Sequence, residues 1–222
     1  MFWWRGVENF GDVLGREILE KISQKEVEWT PAPQAEIIVI GSIATMMPLS
    51  WNGTVAGIGW ARPDVTQRLQ RAEVLALRGR LSIRQLGRKV PAAGDPGLLS
   101  AFLIGSVPQT RDLGIVAHWQ DHSLDSVDGF HIDVHQEPLE VVRQIASCKR
   151  ILSSSLHGLI VADSFGIERR WHRHAQVQGG GFKFLDYGTV VGVFAPGSWD
   201  TADRQRVKKA QNELLRVFWE MK

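Results

Sequence analysis

The chain has 222 residues, of which 44% are hydrophobic and 23% charged, values typical of a globular protein with its own buried core. Its formal net charge of +2 gives no support for nucleic-acid binding, and its single cysteine excludes an intramolecular disulfide and favours a reducing compartment. Apolar runs fall short of the ~18 residues of a membrane-spanning helix, and the first residues lack the layout of a signal peptide. The sequence therefore predicts a cytoplasmic protein.

The first half of the chain alternates between helical and strand patterns. Asp12 is predicted to cap a helix over 13–23, where apolar residues recur at helical spacing. The next segment is β-branched, apolar and closed by glycine, which is typical of a buried parallel strand. The predicted elements that follow the first helix are strands at 36–41, 55–59 and 74–78, a helix at 82–86 and a turn at 94–97.

The same alternation restarts in the second half. Strands are predicted at 114–119, 130–134, 150–153 and 189–194, and helices at 138–147, 158–165 and 201–221. This order of elements predicts an α/β protein made of two Rossmann-like domains, residues 1–105 and 106–222, with the terminal helix packing back on the first. Ligands of such proteins bind in a crevice at the carboxyl ends of the strands.

Residues 153–158 read Ser-Ser-Ser-Leu-His-Gly and lie between a predicted strand and a predicted helix. Serine hydroxyls, such as those of Ser153 and Ser155, and the free amides of a helix N-terminus suit a carboxylate or a phosphate. His157 would stand beside that anion, and Gly158 would let the backbone approach it closely. A serine-rich helix cap with a fully hydrogen-bonded histidine explains the same residues.

Two further motifs have a structural and a functional interpretation. Asn9, Gly11 and Asp12 lie at a loop-to-helix junction, where either a ligand-binding loop or an Asx cap would place them. Arg78 ends a predicted strand and would face the crevice, where a guanidinium can hold a carboxylate or a phosphate. A structural ion pair explains Arg78 equally well.

Metal and nucleotide sites find little support in the sequence. His131, Asp133 and His135 share one face of a predicted strand, but alternate positions there lie about 7 Å apart, too far to share an ion. The sequence contains neither the CxxC nor the HExxH pattern of zinc sites, and it has no G-x-G-x-x-G or Walker A sequence. We therefore expect no metal and no cofactor.

The three glycines at 179–181 are predicted to form a mobile loop, and the basic segment 169–174 a surface for anions.

Taken in chain order, these motifs resemble the polysaccharide pyruvyltransferase family, which includes exopolysaccharide ketal-pyruvate transferases. The matching segments are 9–12, 41–43, 78–82, 94–96, 115–118, 153–163 and 182–187. Two departures are visible: the chain is shorter than most members, and Glu168 stands where a proline is usual.

The resemblance implies a fold similar to the GT-B glycosyltransferases, with phosphoenolpyruvate as donor and co-substrate. It implies a hexose in a glycan as acceptor, usually linked to a lipid carrier, and hence peripheral contact with the inner face of the plasma membrane. Arg78 and His157 match the family's arginine and histidine that bind or activate the donor.

Ketal formation requires an anion site, an acid and a base, and we assign candidates to each. His157 is expected to be the general acid or a phosphate ligand, and Asp12 or His118 the base for the sugar hydroxyls. Lys183 is expected to line the cleft from the second domain. The alternatives are a nucleotide-sugar glycosyltransferase of the same fold and a glycan-binding domain without turnover.

Overall fold

The computed structural model describes residues 1–7, 9–63, 68–175, 177, 179–192 and 194–221. Its helices in these ranges are α1 (Phe10–Ser23), α2 (Arg80–Leu86), α3 (Ser100–Ile104), α4 (Pro138–Ala146), α5 (Leu156–Phe165), α6 (Phe182–Val191) and α7 (Arg204–Glu220). Its strands are β1 (Ile37–Ile38), β2 (Thr54–Ala56), β3 (Glu73–Leu77), β4 (Ala92–Ala93), β5 (Arg111–Val116), β6 (Phe130–His131), β7 (Cys148–Ser153), β8 (Glu168–Trp171) and β9 (Trp199–Asp200). Short 3-10 turns cover Ala32–Gln34, Ala44–Met46 and Pro96–Leu99.

The strands form two sheets, which confirms the α/β class. Sheet 1 has the order β1-β2-β3-β4 and is parallel throughout. Sheet 2 has the order β6-β5-β7-β8-β9 and is parallel except for β9, which runs antiparallel to β8. Parallel strands are covered on both faces, and the central residues Val55, Ala76 and Ile151 are accordingly buried.

Helices cover the sheets and bring them together. Helix α1 packs closely on the segment that follows β1, because Gly15 has no side chain to hold it away from Ile40. Helix α7 packs on β4, where Gly94 faces Leu214. Helices α4 and α5 cover sheet 2, and the turn Pro96–Leu99 packs against α1, α5 and α7. One hydrophobic cluster therefore contains residues of both sheets, such as Ala76 and Ile151, and a second cluster is built around the sheet 1 residues Ile38, Val55 and Val74.

The predicted start of the first helix and one of the predicted strands are wrong. Helix α1 begins at Phe10 rather than after Asp12, and its cap is Asn9, whose side chain accepts a hydrogen bond from the Asp12 N–H. The predicted strand 189–194 is also wrong, since residues 189–191 form the last turn of α6; Val193 lies outside the described residues. Tertiary packing overrides the β-branched composition there, because Val191 is fully buried on the helix.

The basic segment 169–174 exposes less positive charge to anions than its composition suggests, because Arg169 is buried. Arg169 is 1% exposed, and its guanidinium forms ion pairs with Asp163 and Asp200.

The helices in the described residues include none long and apolar enough to cross a membrane. Within the same residues, no group of three or more His, Cys, Asp or Glu side chains is placed to hold a metal ion.

Candidate active site

A cleft of about 310 Å³ opens where the carboxyl ends of strands from both sheets meet. Its walls are formed by the segments that follow β1, β2, β5 and β7 and by the first turns of α1, α5 and α6. This is the usual position of ligand sites in open α/β sheets. The lining residues are Trp4, Asn9, Asp12, Ser42, Ile43, Thr45, Met46, Ala61, Arg62, Ala117, His118, Trp119, Val134, Ser155, Leu156, His157, Gly179 and Lys183.

The N-terminus of α5 faces this cleft. Ser155 is the N-cap residue, and its side chain makes no capping hydrogen bond to the helix. The first turn of a helix leaves backbone N–H groups without partners inside the helix, and these groups carry a partial positive charge. Since Ser155, Leu156 and His157 all line the cleft, this turn can bind an anion there.

Lys183 brings a formal positive charge to the same cleft. It lies in the first turn of α6 and is 9% exposed. Burial, and secondly the nearby Arg78, lowers the Lys183 pKa to about 8, whereas Asp12 opposes this shift. The ammonium form therefore predominates at neutral pH, and it is desolvated enough to bind an anion strongly.

Asp12 lies on the α1 side of the cleft and is held by Asn9. The Asn9 side-chain amide donates a hydrogen bond of 2.6 Å to Asp12 Oδ2. Burial raises the Asp12 pKa to about 6, although the Asn9 hydrogen bond and Lys183 favour the ionised form. A carboxylate with this pKa is ionised at neutral pH and still basic enough to accept a hydroxyl proton.

His157 is nearly buried, with 13% of its side chain exposed. Burial, followed by the charges of Lys183 and Arg78, lowers its pKa to about 3, so the imidazole is neutral at pH 7. Gly11 faces the ring: a Cβ atom at position 11 would lie only 2.1 Å from His157 Nδ1. The glycine predicted to bind substrate thus makes room for the histidine.

His118 contributes to an aromatic surface that lines the cleft. Its ring stacks on Trp119 with centroids 5.6 Å apart, and Trp119 stacks on Trp4 at 6.4 Å. We call these three residues the aromatic wall. Burial, then the charge of Lys183, lowers the His118 pKa to about 4, so this imidazole is also neutral.

Arg78 requires a correction, because its side chain does not face the cleft. The guanidinium is fully buried, lies 3.1 Å from the Asp186 carboxylate and donates hydrogen bonds to Ser42 Oγ and the Trp60 carbonyl. The ion pair considered as the alternative is therefore present. Arg78 lies directly behind Ser42, a lining residue, and its charge acts on the site from there.

Ser153 and Gly158 also differ from their predicted positions in the lining. Ser153 is fully buried; its hydroxyl donates to the Val116 carbonyl and accepts from the Ser155 N–H. Gly158 lets α5 approach β5, since a Cβ atom there would lie 2.8 Å from the Val116 side chain. Both residues shape the turn that carries Ser155 and His157.

The sequence interpretation missed Asp95 and the two tryptophans of the wall. Asp95 is completely buried beside His157, with 3.8 Å between Asp95 Oδ2 and His157 Nε2. Its position directly after a strand was a usable signal, but β4 is only two residues long and was not predicted. Trp4 and Trp119 carried no local signal among the nine tryptophans of the chain.

The fold and the cleft define an α/β protein whose site combines a lysine, a carboxylate, two neutral histidines and a helix N-terminus, a set suited to an anionic ligand. The chain belongs to the polysaccharide pyruvyl transferase family, whose sequence model matches residues 46–169, more than half of the chain. The matched range contains Arg78, Asp95, His118 and His157, whereas Asp12 and Lys183 lie outside it.

Two relatives show how far the similarity extends. The succinoglycan biosynthesis protein ExoV of Rhizobium meliloti (strain 1021) is 23% identical over 214 residues, 86% of this chain and 64% of that protein. The uncharacterized protein L143 of Acanthamoeba polyphaga mimivirus is 33% identical over 116 residues, 45% of this chain and 40% of that protein. The chain thus covers less than two thirds of the length of either relative.

Proposed function

We propose that this protein transfers the enolpyruvyl group of phosphoenolpyruvate onto two hydroxyls of a hexose, in a polysaccharide or its lipid-linked precursor, and forms a pyruvate ketal. The observation that carries the proposal is the meeting of Lys183 and the uncapped N-terminus of α5 in one cleft. Membership of the polysaccharide pyruvyl transferase family supports the reaction class.

The proposed donor carries a carboxylate and a phosphate, and the cleft offers separate groups for the two. Lys183 and the exposed Arg62 supply cations, while the first turn of α5 supplies backbone N–H donors. Buried Arg78 adds a positive field from behind Ser42 without contacting the ligand. We therefore assign donor binding to Lys183, Ser155 and α5 rather than to Arg78.

The acceptor is proposed to lie on the aromatic wall. The C–H face of a hexose packs well on an aromatic ring, and Trp4 and Trp119 are partly exposed where they line the cleft. Asp12 and His118 line the same cleft and can accept protons from the sugar hydroxyls. This arrangement would place the acceptor hydroxyls near the donor.

In the proposed reaction, C3 of the donor gains a proton while a sugar hydroxyl oxygen forms a bond to C2. The hydroxyl proton passes to Asp12 or His118. The C2–O bond to phosphate then breaks, and phosphate leaves with the bonding electrons. The second hydroxyl adds to the resulting oxocarbenium-like carbon and loses its proton, which completes the ketal.

We also propose the GT-B-like division into residues 1–105 and 106–222. It is supported by the separation of the sheets, since sheet 1 lies within residues 37–93 and sheet 2 within 111–200. The carboxyl ends of strands in both sheets border the same cleft, as expected for two Rossmann-like domains that face each other.

The direct test measures phosphate release and ketal formation by the purified chain with phosphoenolpyruvate and candidate hexose-containing glycans. Thermal shifts with phosphoenolpyruvate and with a set of nucleotide sugars should show stabilisation by the former. Stabilisation by nucleotide sugars alone would indicate a glycosyltransferase instead. Absence of phosphoenolpyruvate binding at millimolar concentration would contradict the proposal.

Replacing Lys183 by glutamine should weaken phosphoenolpyruvate binding roughly 10–100-fold, the effect of losing one charge-assisted hydrogen bond. Affinity of the native chain should fall as pH rises through about 8, because the Lys183 ammonium loses its proton there. The Lys183→Gln variant should lack this pH dependence. Calorimetric titration measures both, and Lys209→Gln, which changes an exposed lysine of α7, serves as the control.

Replacing Trp119 by alanine should raise the KM for the glycan roughly 5–10-fold, because an aromatic contact contributes about 1 kcal/mol. The affinity for phosphoenolpyruvate should stay unchanged. Steady-state kinetics with varied acceptor and binding titration with the donor measure the two effects. Trp219→Ala, at an exposed position of α7, is the matched control. Equal losses for donor and acceptor would argue against an acceptor surface.

A further inference from the structure

Asp95 and His157 face each other with two unsatisfied polar atoms. Asp95 follows β4, is fully buried, and accepts a hydrogen bond of 2.9 Å from the Gly97 N–H through Oδ1. Its other oxygen, Oδ2, lies 3.8 Å from His157 Nε2. Neither atom has a hydrogen-bond partner among the described residues, and both are buried. Such atoms are costly and therefore require an explanation.

The two ring nitrogens of His157 have different surroundings. Nε2 points inward to Asp95, whereas Nδ1 lies beside the backbone of Gly11, where a Cβ atom would overlap it. Because the His157 ring lines the cleft, Nδ1 is the nitrogen that remains for a ligand. The ring is thus held between a buried carboxyl group and a glycine.

We propose that Asp95 is a positioning residue that orients His157 and determines which imidazole nitrogen carries the proton. When Asp95 is protonated, its O–H donates to Nε2 and the ring carries its proton on Nδ1, towards the cleft. When Asp95 is ionised, the carboxylate accepts from Nε2–H and Nδ1 becomes an acceptor. Asp95 Oδ2 and His157 Nε2 are 3.8 Å apart, so a small movement of the two side chains towards each other forms either hydrogen bond.

The electrostatic surroundings set the pH of this exchange near neutrality. Burial raises the Asp95 pKa to about 7 against the effects of the Gly97 N–H and Arg78, and the same burial keeps His157 neutral. The charged and titratable groups that act on the pair are Arg78, His118, Lys183, Asp186 and Tyr187. A cationic imidazole is therefore not required for proton donation.

Under the proposed function, on which this step rests, the proton balance is simple. His157 Nδ1–H gives its proton to C3 of the donor, and the Asp95 proton moves to Nε2. The imidazole is neutral before and after, and the negative charge ends on the Asp95 carboxylate, whose ionised form Arg78 stabilises. Asp95 thus allows a histidine with a low pKa to serve as the acid.

Nitrogen-15 NMR of histidine-labelled full chain tests the tautomer without any turnover. The His157 signals are assigned by their loss in His157→Gln and followed from pH about 5.5 to about 8.5. We expect the Nδ1–H form below about pH 7 and the Nε2–H form above it. In Asp95→Asn the Nδ1–H form should persist throughout, because Gly97 holds the amide oxygen and the NH₂ group faces Nε2.

A wild-type tautomer that does not respond to pH, or an unchanged response in Asp95→Asn, overturns the proposal. Asp163→Asn is the matched control, a buried carboxylate paired with Arg169 outside the cleft. It should lower stability and leave the His157 response intact. Since the tautomer is read in the wild type as well, a variant that fails to fold does not remove the test.

Turnover gives a second readout. Asp95→Asn should lower kcat roughly 10²-fold or more, with phosphoenolpyruvate affinity changed less than about threefold. The wild-type kcat should decline as pH rises above about 7, when Asp95 loses its proton. A kcat that Asp95→Asn leaves unchanged overturns the proposal. Failure of the wild type to bind phosphoenolpyruvate would contradict the proposed function alone, because the NMR result would still stand.

Discussion

Replacing Arg78 by methionine is expected to lower the free energy of unfolding by about 3–5 kcal/mol, the usual cost of leaving one partner of a buried ion pair alone. Arg78 and Asp186 are both fully buried, and Asp186 also accepts hydrogen bonds from the Ser82 N–H and hydroxyl. The pair joins the residue directly after β3 of sheet 1 to α6, across 108 positions of the chain. Urea unfolding followed by circular dichroism measures the loss.

The Asp186 charge, rather than packing, should account for most of this loss. The double variant Arg78→Met/Asp186→Leu should therefore recover part of the stability, because it buries no unpaired charge. Arg143→Met, which removes an exposed pair with Glu140, should change stability by less than about 1 kcal/mol. A stable Arg78→Met protein with weakened phosphoenolpyruvate binding would instead favour direct donor contact by Arg78.

Replacing His157 by glutamine is expected to lower kcat roughly 10²–10⁴-fold, the range for losing a positioned proton donor. The affinity for phosphoenolpyruvate should change far less, since Lys183 and the first turn of α5 remain in place. Single-turnover kinetics together with donor titration separate the two quantities. A parallel loss of donor affinity would identify His157 as a phosphate ligand, and near-normal turnover would exclude both roles.

A second variant displaces the His157 ring without replacing the histidine. Gly11→Ala places a methyl group where it overlaps His157 Nδ1, so the ring must leave its position beside Asp95. Its kcat should fall by a factor comparable to that of His157→Gln. His131→Gln, which changes an exposed histidine of β6, is the control and should retain full turnover.

Local sequence patterns predicted those elements whose character depends on a few neighbouring residues. Strands β3 and β7 and helix α4 lie where the sequence pattern predicted them. Their apolar residues face the core and recur at the spacing typical of a strand or of a helix. Short or charged strands were missed: β4 has two residues, and β8 includes Arg169, which is buried and pairs with Asp163 and Asp200.

For the site, the motifs identified residues that the structure brings together from four separate segments. Asn9, Asp12, His118, Ser155, His157 and Lys183 all line one cleft. Their chemical roles stay predictions until the variants are measured. Arg78, Ser153, Gly158 and Gly11 support the lining from behind, and residue type and spacing did not decide between this structural role and a binding role.

The sequence by itself determined the α/β class and placed turns with serine, histidine and glycine between strands and helices, where we predict an anion site. These features are local, since a helix N-terminus and a strand end are defined by adjacent residues. Only the tertiary structure decided that Arg78 turns inward to Asp186 and that Asp95 meets His157. Burial and the choice of partner depend on contacts between distant positions, and periodicity along the chain does not contain them.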